Sequence, residues 1–305
     1  MVEISVVIPL APERNAEIIE HIKKQEFPRK NFEIIVEVGK NPSVNRNKGV
    51  KKAKGKIIVF ADDDALVEKD YLKNVKHFFD KYKDIDIVGG PQLTPSSDRG
   101  FAKISGYALS SEFGGFGVNK RYKQGEINFN AGETEITSAN LSCRKQVLDK
   151  VKFDTNLFPG EDPEFISQAK QAGFKVAYFP EIVVYHRRRA NIAGLIKQIS
   201  SYGKTRAERN LKETVKRPYF LVPSLFLLYG IFLLGVLLLG RLNLALISLL
   251  LLYIALDLLF SLFQAIKNKE PGTFFVLLLV YPVIHYSYGW GFIHGVLKRI
   301  INAKH

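Results

Sequence analysis

Asp62-Asp63-Asp64 sets three carboxylates side by side at the end of an apolar run. Adjacent carboxylates repel one another unless a cation or hydrogen-bond donors compensate them. A hard divalent ion with oxygen ligands does so, and substrate phosphates commonly complete its shell. Mg2+ or Mn2+ at Asp62 and Asp64 would neutralise a diphosphate leaving group as a Lewis acid. The competing reading is a turn or helix start, where Asp is favoured. A second acidic pair, Glu161-Asp162, stands between Gly160 and Pro163, which together suggest a tight loop entering a helix. A carboxylate there either takes a proton from a substrate hydroxyl as general base or caps the helix.

Two basic stretches accompany the acidic ones. His186-Arg187-Arg188-Arg189, with Gln198, Tyr202, Gly203 and Arg206 downstream, offers guanidinium forks that suit diphosphate oxygens. The same charge would also suit an anionic membrane face. Asn41-Pro42-Ser43-Val44-Asn45-Arg46-Asn47-Lys48-Gly49 puts polar and basic groups at a turn before a helix, where a nucleotide could be held. Ordinary turn chemistry accounts for it equally.

These groups need a frame. Ile4-Ser5-Val6-Val7-Ile8-Pro9 is a short β-branched run ended by Pro, the pattern of a buried strand. Residues 15–25 have helical spacing, with Ile18, Ile19 and Ile22 on one face. Further strands are expected at 32–38, 56–60 and 85–89, with helices at 47–53, closed by Gly55, and at 70–82. Strands alternating with helices argue for a mostly parallel sheet, whose ligands bind outside the carboxyl ends of its strands. Asp62 lies at one such end. Residues 91–132 read as irregular, 135–141 as a strand, 163–172 as a helix closed by Gly173, and 175–179 and 182–185 as short strands.

The chain has 305 residues and a formal net charge of +14, which points to anionic partners. Its single cysteine, Cys143, excludes an intrachain disulfide framework and a cysteine-based zinc site. Residues 1–9 lack the pattern of a secretory signal, so the N-terminal domain is expected in the cytosol. Residues 186–217 are basic with helical spacing, fit for an anionic membrane surface or a solvated linker. Segments 219–239 and 242–266 are long enough to cross a bilayer core, which takes about 20 residues. A third candidate covers 273–297 and either spans or re-enters, since Lys298, Arg299 and Lys304 beyond it conflict with the positive-inside rule.

Taken together and in order, these segments resemble the family-2 glycosyltransferases, which have the GT-A fold. Val6-Val7-Ile8-Pro9 is similar to the opening strand. Arg46-Asn47 through Gly49, Ala53 and Gly55 resembles the RN-x-G…A-x-G segment, and Phe60-Ala61-Asp62-Asp63-Asp64 the DXD-bearing strand end. Thr137-Ser138-Ala139-Asn140-Leu141-Ser142 resembles the acceptor-side strand, and Gly160-Glu161-Asp162 the ED motif. The resemblance implies an α/β, Rossmann-like GT-A domain with a mostly parallel sheet over 1–186. A basic juxtamembrane linker at 187–217 and an all-α transmembrane segment at 218–305 complete the expected division.

It also implies an inverting mechanism. Asp62 and Asp64 would hold Mg2+ or Mn2+; Pro9, Leu10, Glu13, Glu37, Arg46, Asp62 and Asp63 would contact a UDP- or GDP-sugar. Asp162, with Glu161, would deprotonate the acceptor. Ser138, Asn140, His186, Arg187, Arg188, Gln198, Tyr202 and Arg206 would face the acceptor or diphosphate. Tyr288-Gly289-Trp290-Gly291-Phe292, with His285 and Gly295, is similar to the tails of exopolysaccharide-type members such as succinoglycan-synthesis transferases. Two features depart from the family. The turn after the second strand is Glu37-Val38-Gly39-Lys40-Asn41 where an Asp-Gly-Ser type is usual, and the QxxRW motif of processive synthases is absent, Gln198 being followed by Ser201-Tyr202.

Three functions compete on this reading. The first is a single-addition transferase that extends a polyprenyl- or dolichyl-linked glycan, or a surface polysaccharide precursor, as a multi-pass protein of the cell membrane. The second is a polyprenyl-phosphate sugar synthase, whose acceptor is already an anion. The third is a non-catalytic, membrane-anchored nucleotide-binding scaffold. Membrane lipids are expected partners, a homo-oligomer is left open, and nucleic acid is set aside because the basic residues gather beside the membrane segment.

Overall fold

The computed structural model describes residues 1–209, 214 and 217–302. The remainder of the expected basic linker (210–213, 215–216) and Lys304 lie outside the described residues. The strands are β1 (Ile4–Leu10), β2 (Phe32–Val38), β3 (Ile57–Ala61), β4 (Ala65–Leu66), β5 (Ile87–Gly89), β6 (Gln92–Leu93), β7 (Asn140–Arg144), β8 (Val176–Tyr178) and β9 (Val184–His186). The helices are α1 (Ile18–Lys23), α2 (Pro42–Lys52), α3 (Tyr71–Lys81), α4 (Gly100–Ser110), α5 (Glu112–Gly115), α6 (Val147–Lys150) and α7 (Glu161–Gln171). They are followed by α8 (Ile192–Arg209), α9 (Val222–Leu238), α10 (Leu244–Lys267) and α11 (Thr273–Asn302). The chain forms two compact units, Met1–Ser97 with Lys120–Arg187, and Asp98–Asn119 with Arg188–His305.

The first unit is built on a six-stranded sheet of order β2-β1-β3-β7-β5-β8. Strands β1, β2 and β3 pair in parallel, as do β5 and β8, whereas β7 runs antiparallel to β3 and β5. Side chains alternate between two cores, as the two-residue period of a strand requires. Ile4, Val6, Ile8, Ile57 and Val59 pack with α1 and α3 on one face. Val7, Ile58, Phe60, Leu141 and Cys143 pack with α6 and α7 on the other. Burial on both faces explains why β1 and β3 read as unbroken apolar runs. A second, three-stranded sheet has the order β4-β9-β6.

Several elements differ from the sequence expectation. Helix α2 starts at Pro42, because the Asn41 side chain accepts a hydrogen bond from the Val44 N–H at 3.1 Å and Pro42 supplies a preset first turn. Ser43, Asn45 and Arg46 therefore lie within the helix and are buried. Gly55 is not its stop: a Cβ there would lie 2.6 Å from the Ser5 nitrogen, so Gly55 serves a close approach to β1. The strand expected at 135–141 is instead β7; Glu135 is buried in a loop and accepts from Asn128 at 3.0 Å. Residues 91–132 are not irregular throughout, since they hold β6, α4 and α5.

In the second unit, α10 and α11 are long and apolar enough to cross a membrane. Helix α9 has 17 residues, shorter than the expected 219–239 span, because the chain enters it through a 3-10 turn at Pro218–Phe220. Helix α11 runs unbroken through Pro282 for 30 residues, with no re-entrant break. On α10, Leu251, Leu252, Ile254, Leu258, Leu259 and Leu262 are exposed while Asp257, Ser261 and Gln264 are buried, the reverse of a water-facing helix. Glycines set the packing of α8 on α11. A Cβ on Gly203 would lie 2.2 Å from the Tyr288 carbonyl oxygen, and one on Gly291 1.9 Å from that of Ser200. The glycines around Trp290 thus let backbones meet.

Candidate active site

The carboxyl ends of β1 and β3 lie side by side in the sheet, and α2 packs on β1 and β2 next to them. Gly49 lets α2 lie close on β1: a Cβ there would sit 2.4 Å from Val7 Cγ1. One turn earlier on the same helix is Arg46, whose buried guanidinium ties three elements together. Its Nη2 donates to Asp62 Oδ1 at 3.1 Å and its Nη1 to Glu161 Oε1 at 2.9 Å, with Asp162 Oδ1 at 3.8 Å from the same Nη1. The guanidinium lies 5.2 Å from the centre of the Phe153 ring, itself stacked on Phe165. A charge this buried persists only when paired, and the planar fork serves two carboxylates at once.

Pairing of β4 with β9 brings His186 opposite Ala65 and so beside the aspartates. His186 Nε2 is 3.3 Å from Asp64 Oδ1 and 3.8 Å from Asp62 Oδ2. The guanidinium of Arg14, in the loop after β1, completes the ring, with Nη1 2.8 Å from Asp63 Oδ1 and Nη2 2.7 Å from Asp64 Oδ2. Burial alone would raise the Asp62 and Asp64 carboxyls, but His186 with Arg46, and His186 with Arg14, hold them below the usual range. Burial pushes Asp63 up. Burial lowers His186, yet the two aspartates outweigh it and raise the imidazole to about 9.

One ligand atom each from Asp62, Asp64 and His186 can lie within 4.8 Å of the others. Two carboxylates and an imidazole form a donor set that suits a divalent ion. The other acidic pair starts α7. Gly160 takes φ 116°, a left-handed value that favours glycine, and turns the chain into the helix. Burial and the neighbouring Asp162 charge push the Glu161 carboxyl up, against the pull of Arg46. Asp162 Oδ1 is buried without a hydrogen-bond partner.

The remaining expected residues fall in different places. Pro9 stands opposite Glu37 in the β1–β2 register, and the Leu10 carbonyl accepts from the Gly39 N–H at 2.9 Å. Glu37 is paired with Lys52 at 2.6 Å, and Glu13 is exposed beside Arg14. Ser138 is fully buried. Asn140 is also buried, donating to the carbonyls of Pro91 and Ile182 and accepting from the Tyr71 hydroxyl, so its amide is taken up in bracing β7. Arg187 pairs with Glu17 at 2.9 Å. Arg188, Gln198, Tyr202 and Arg206 belong to the second unit, where Gln198 donates to the Tyr202 hydroxyl and Arg206 lies over Phe220. Sequence reasoning missed Arg14 and Phe153. No local motif marks either, and only the fold brings them to the aspartates and to Arg46.

Glycosyltransferase like family 2 matches this chain over residues 4–200. The chain belongs to that family. The glycosyltransferase has the GT-A fold, shared with the mannosyltransferase PcManGT from Pyrobaculum calidifontis, solved with GDP-Man and Mn2+. That likeness covers 97% of this chain and 88% of the other, with a TM-score of 0.64 and 15% identity. The transferase is also 24% identical over 329 residues to a Methanococcus voltae enzyme, across 97% of each chain. That enzyme is the dolichyl N-acetyl-alpha-D-glucosaminyl phosphate 3-beta-D-2,3-diacetamido-2,3-dideoxy-beta-D-glucuronosyltransferase. The minor teichoic acid biosynthesis protein GgaB of Bacillus subtilis (strain 168) is 31% identical over 133 residues, 42% of this chain and 14% of that protein.

Proposed function

We propose that this glycosyltransferase moves one sugar, with inversion, from a nucleotide-diphosphate sugar to a lipid-linked glycan. The observation that carries the reading is the placement of Arg46, whose single guanidinium spans Asp62 on the donor side and the Glu161-Asp162 pair. Asp162 is the general base. Its side chain is 21% exposed and so open to an acceptor, whereas Glu161 is buried and held by Arg46. Asp162 takes the acceptor hydroxyl proton as that oxygen bonds to the anomeric carbon. The bond from that carbon to the diphosphate breaks, and the nucleoside diphosphate leaves with the electron pair. Asp62, Asp64 and His186 would hold Mg2+ or Mn2+, which would neutralise the departing diphosphate. Pro9, Leu10, Glu13 and Glu37 bind the nucleotide, which is UDP or GDP.

The Methanococcus voltae relative, whose name specifies a dolichyl-linked acceptor, supports this acceptor class. The exposed apolar faces of α10 and α11 support membrane anchoring, and Arg188 and Arg206 suit an anionic lipid face. The test exposes membranes containing the protein to radiolabelled UDP- and GDP-sugars with Mn2+ or Mg2+ and follows label into extracted lipid. Asp162→Asn is expected to lower the transfer rate by about 10²–10⁴-fold while the donor is still bound. Full activity in that variant would overturn Asp162 as base and favour a phosphate acceptor, which needs none.

A further inference from the structure

The two ion-ligating aspartates have all their oxygens faced by cationic groups. Asp62 meets Arg46 through Oδ1 and His186 through Oδ2, while Asp64 meets His186 through Oδ1 and Arg14 through Oδ2. Asp63 stands outside the ligand group and pairs with Arg14. The two arginines differ in what holds them. Arg46 is wedged between Asp62, Glu161 and Phe153 and is nearly inaccessible. The Arg14 side chain is 51% exposed on a loop, so releasing it into water costs little.

We propose that Arg14 is the resident counter-ion of this cluster, released from Asp64 when the divalent ion and the donor bind, so that the two ligands bind cooperatively. This rests on the reading of Asp62, Asp64 and His186 as the ligand set. A dication and a guanidinium cannot share Asp64 Oδ2 without strong like-charge repulsion, so each weakens the other's hold. A donor diphosphate resolves the conflict. Its oxygens match the guanidinium fork, and Asp63 keeps the side chain within reach of the site. Without a diphosphate, ion binding must break the Arg14–Asp64 pair uncompensated. With one, Arg14 exchanges one anionic partner for another. Binding of either ligand then strengthens the other by the same factor. The arrangement also gives the middle aspartate of the triplet a purpose: Asp63 anchors Arg14.

The test is Mn2+ binding to the detergent-solubilised full chain, followed by the paramagnetic resonance of free Mn2+, alone and then with UDP or GDP. Wild type, Arg14→Ala, Arg14→Lys and Asp64→Asn are compared, with circular dichroism to verify folding. Arg14→Ala is expected to bind Mn2+ alone about tenfold more tightly than wild type and to lose most of the gain that nucleotide diphosphate brings. Arg14→Lys, which keeps the charge without the fork, falls between them. If Asp64→Asn abolishes Mn2+ binding but Arg14→Ala binds Mn2+ no more tightly than wild type, the counter-ion role is overturned while the ligand set stands. If Asp64→Asn binds Mn2+ as wild type does, the ligand set fails and the proposal with it.

Discussion

At the scale of single residues the molecule turns on Arg46. Removing its charge would leave Glu161 buried without a counter-charge, while Asp62 would keep only His186. Arg46→Met, close in volume, is expected to lower stability by about 3–5 kcal/mol, read as an earlier thermal midpoint. A midpoint unchanged from wild type would mean that the carboxylates find other partners. His186 gives a pH dependence. In the ion-free protein its value rises from an ordinary 6.5 to about 9, so the folded chain holds this proton more tightly than the unfolded one. That stabilisation is complete below pH 6.5 and is lost as the pH climbs towards about 9. Thermal midpoints of the ion-free protein are expected to decline across that window, and His186→Gln to flatten the decline. An equal slope in the variant would assign it to another group.

At the scale of elements, the contact of α8 with α11 depends on missing side chains. Gly291→Ala would drive a methyl into the Ser200 carbonyl, and neither backbone can yield without parting the helices. A loss of about 1–3 kcal/mol is expected, measured as a lower midpoint in detergent. Gly235→Ala on α9, where a Cβ meets nothing within 4 Å, serves as the control and is expected to be neutral or slightly stabilising. Equal effects at the two positions would show that helix propensity rather than packing decides. This pairing was not legible in the sequence. The spacing of Leu195 and Ile199 marks an apolar face on α8, but no periodicity states which helix meets it.

At the scale of the whole molecule, the chain does not divide at a single point. Asp98–Asn119 groups with the C-terminal helices, although residues of the first unit flank it on both sides. Phe113 packs on Phe260, Tyr281 and His285, and its carbonyl faces His285 Nε2 at 2.8 Å. A chain ended at Arg187 would keep α4 and α5 but lose every one of those partners. It is expected to aggregate when expressed in water, as judged by size-exclusion chromatography. A monodisperse, well-folded truncated chain would show that α4 and α5 need no cover.

Local pattern determined much of the frame. Strands β1 and β3 are short apolar runs because a sheet covered on both faces demands them, and the adjacent carboxylates of the acidic clusters call for compensating cations. Composition marks 219–239 and 242–266 as spans; of these, 242–266 corresponds to the long apolar helix α10, while the other long one, α11, covers the third candidate segment. Where residues distant in sequence come together was left to tertiary structure. His186 reads as the head of a basic run, and only the β4–β9 pairing brings it to Asp62 and Asp64. Arg14 carries no motif, and Arg46 looks like part of a turn until Asn41 caps the helix that buries it. Residues 98–119 lack a clear period because their cover comes from helices far along the chain. Local sequence encodes periodicity and capping, whereas charge pairing across such distances depends on strand register and helix packing, which no single segment specifies.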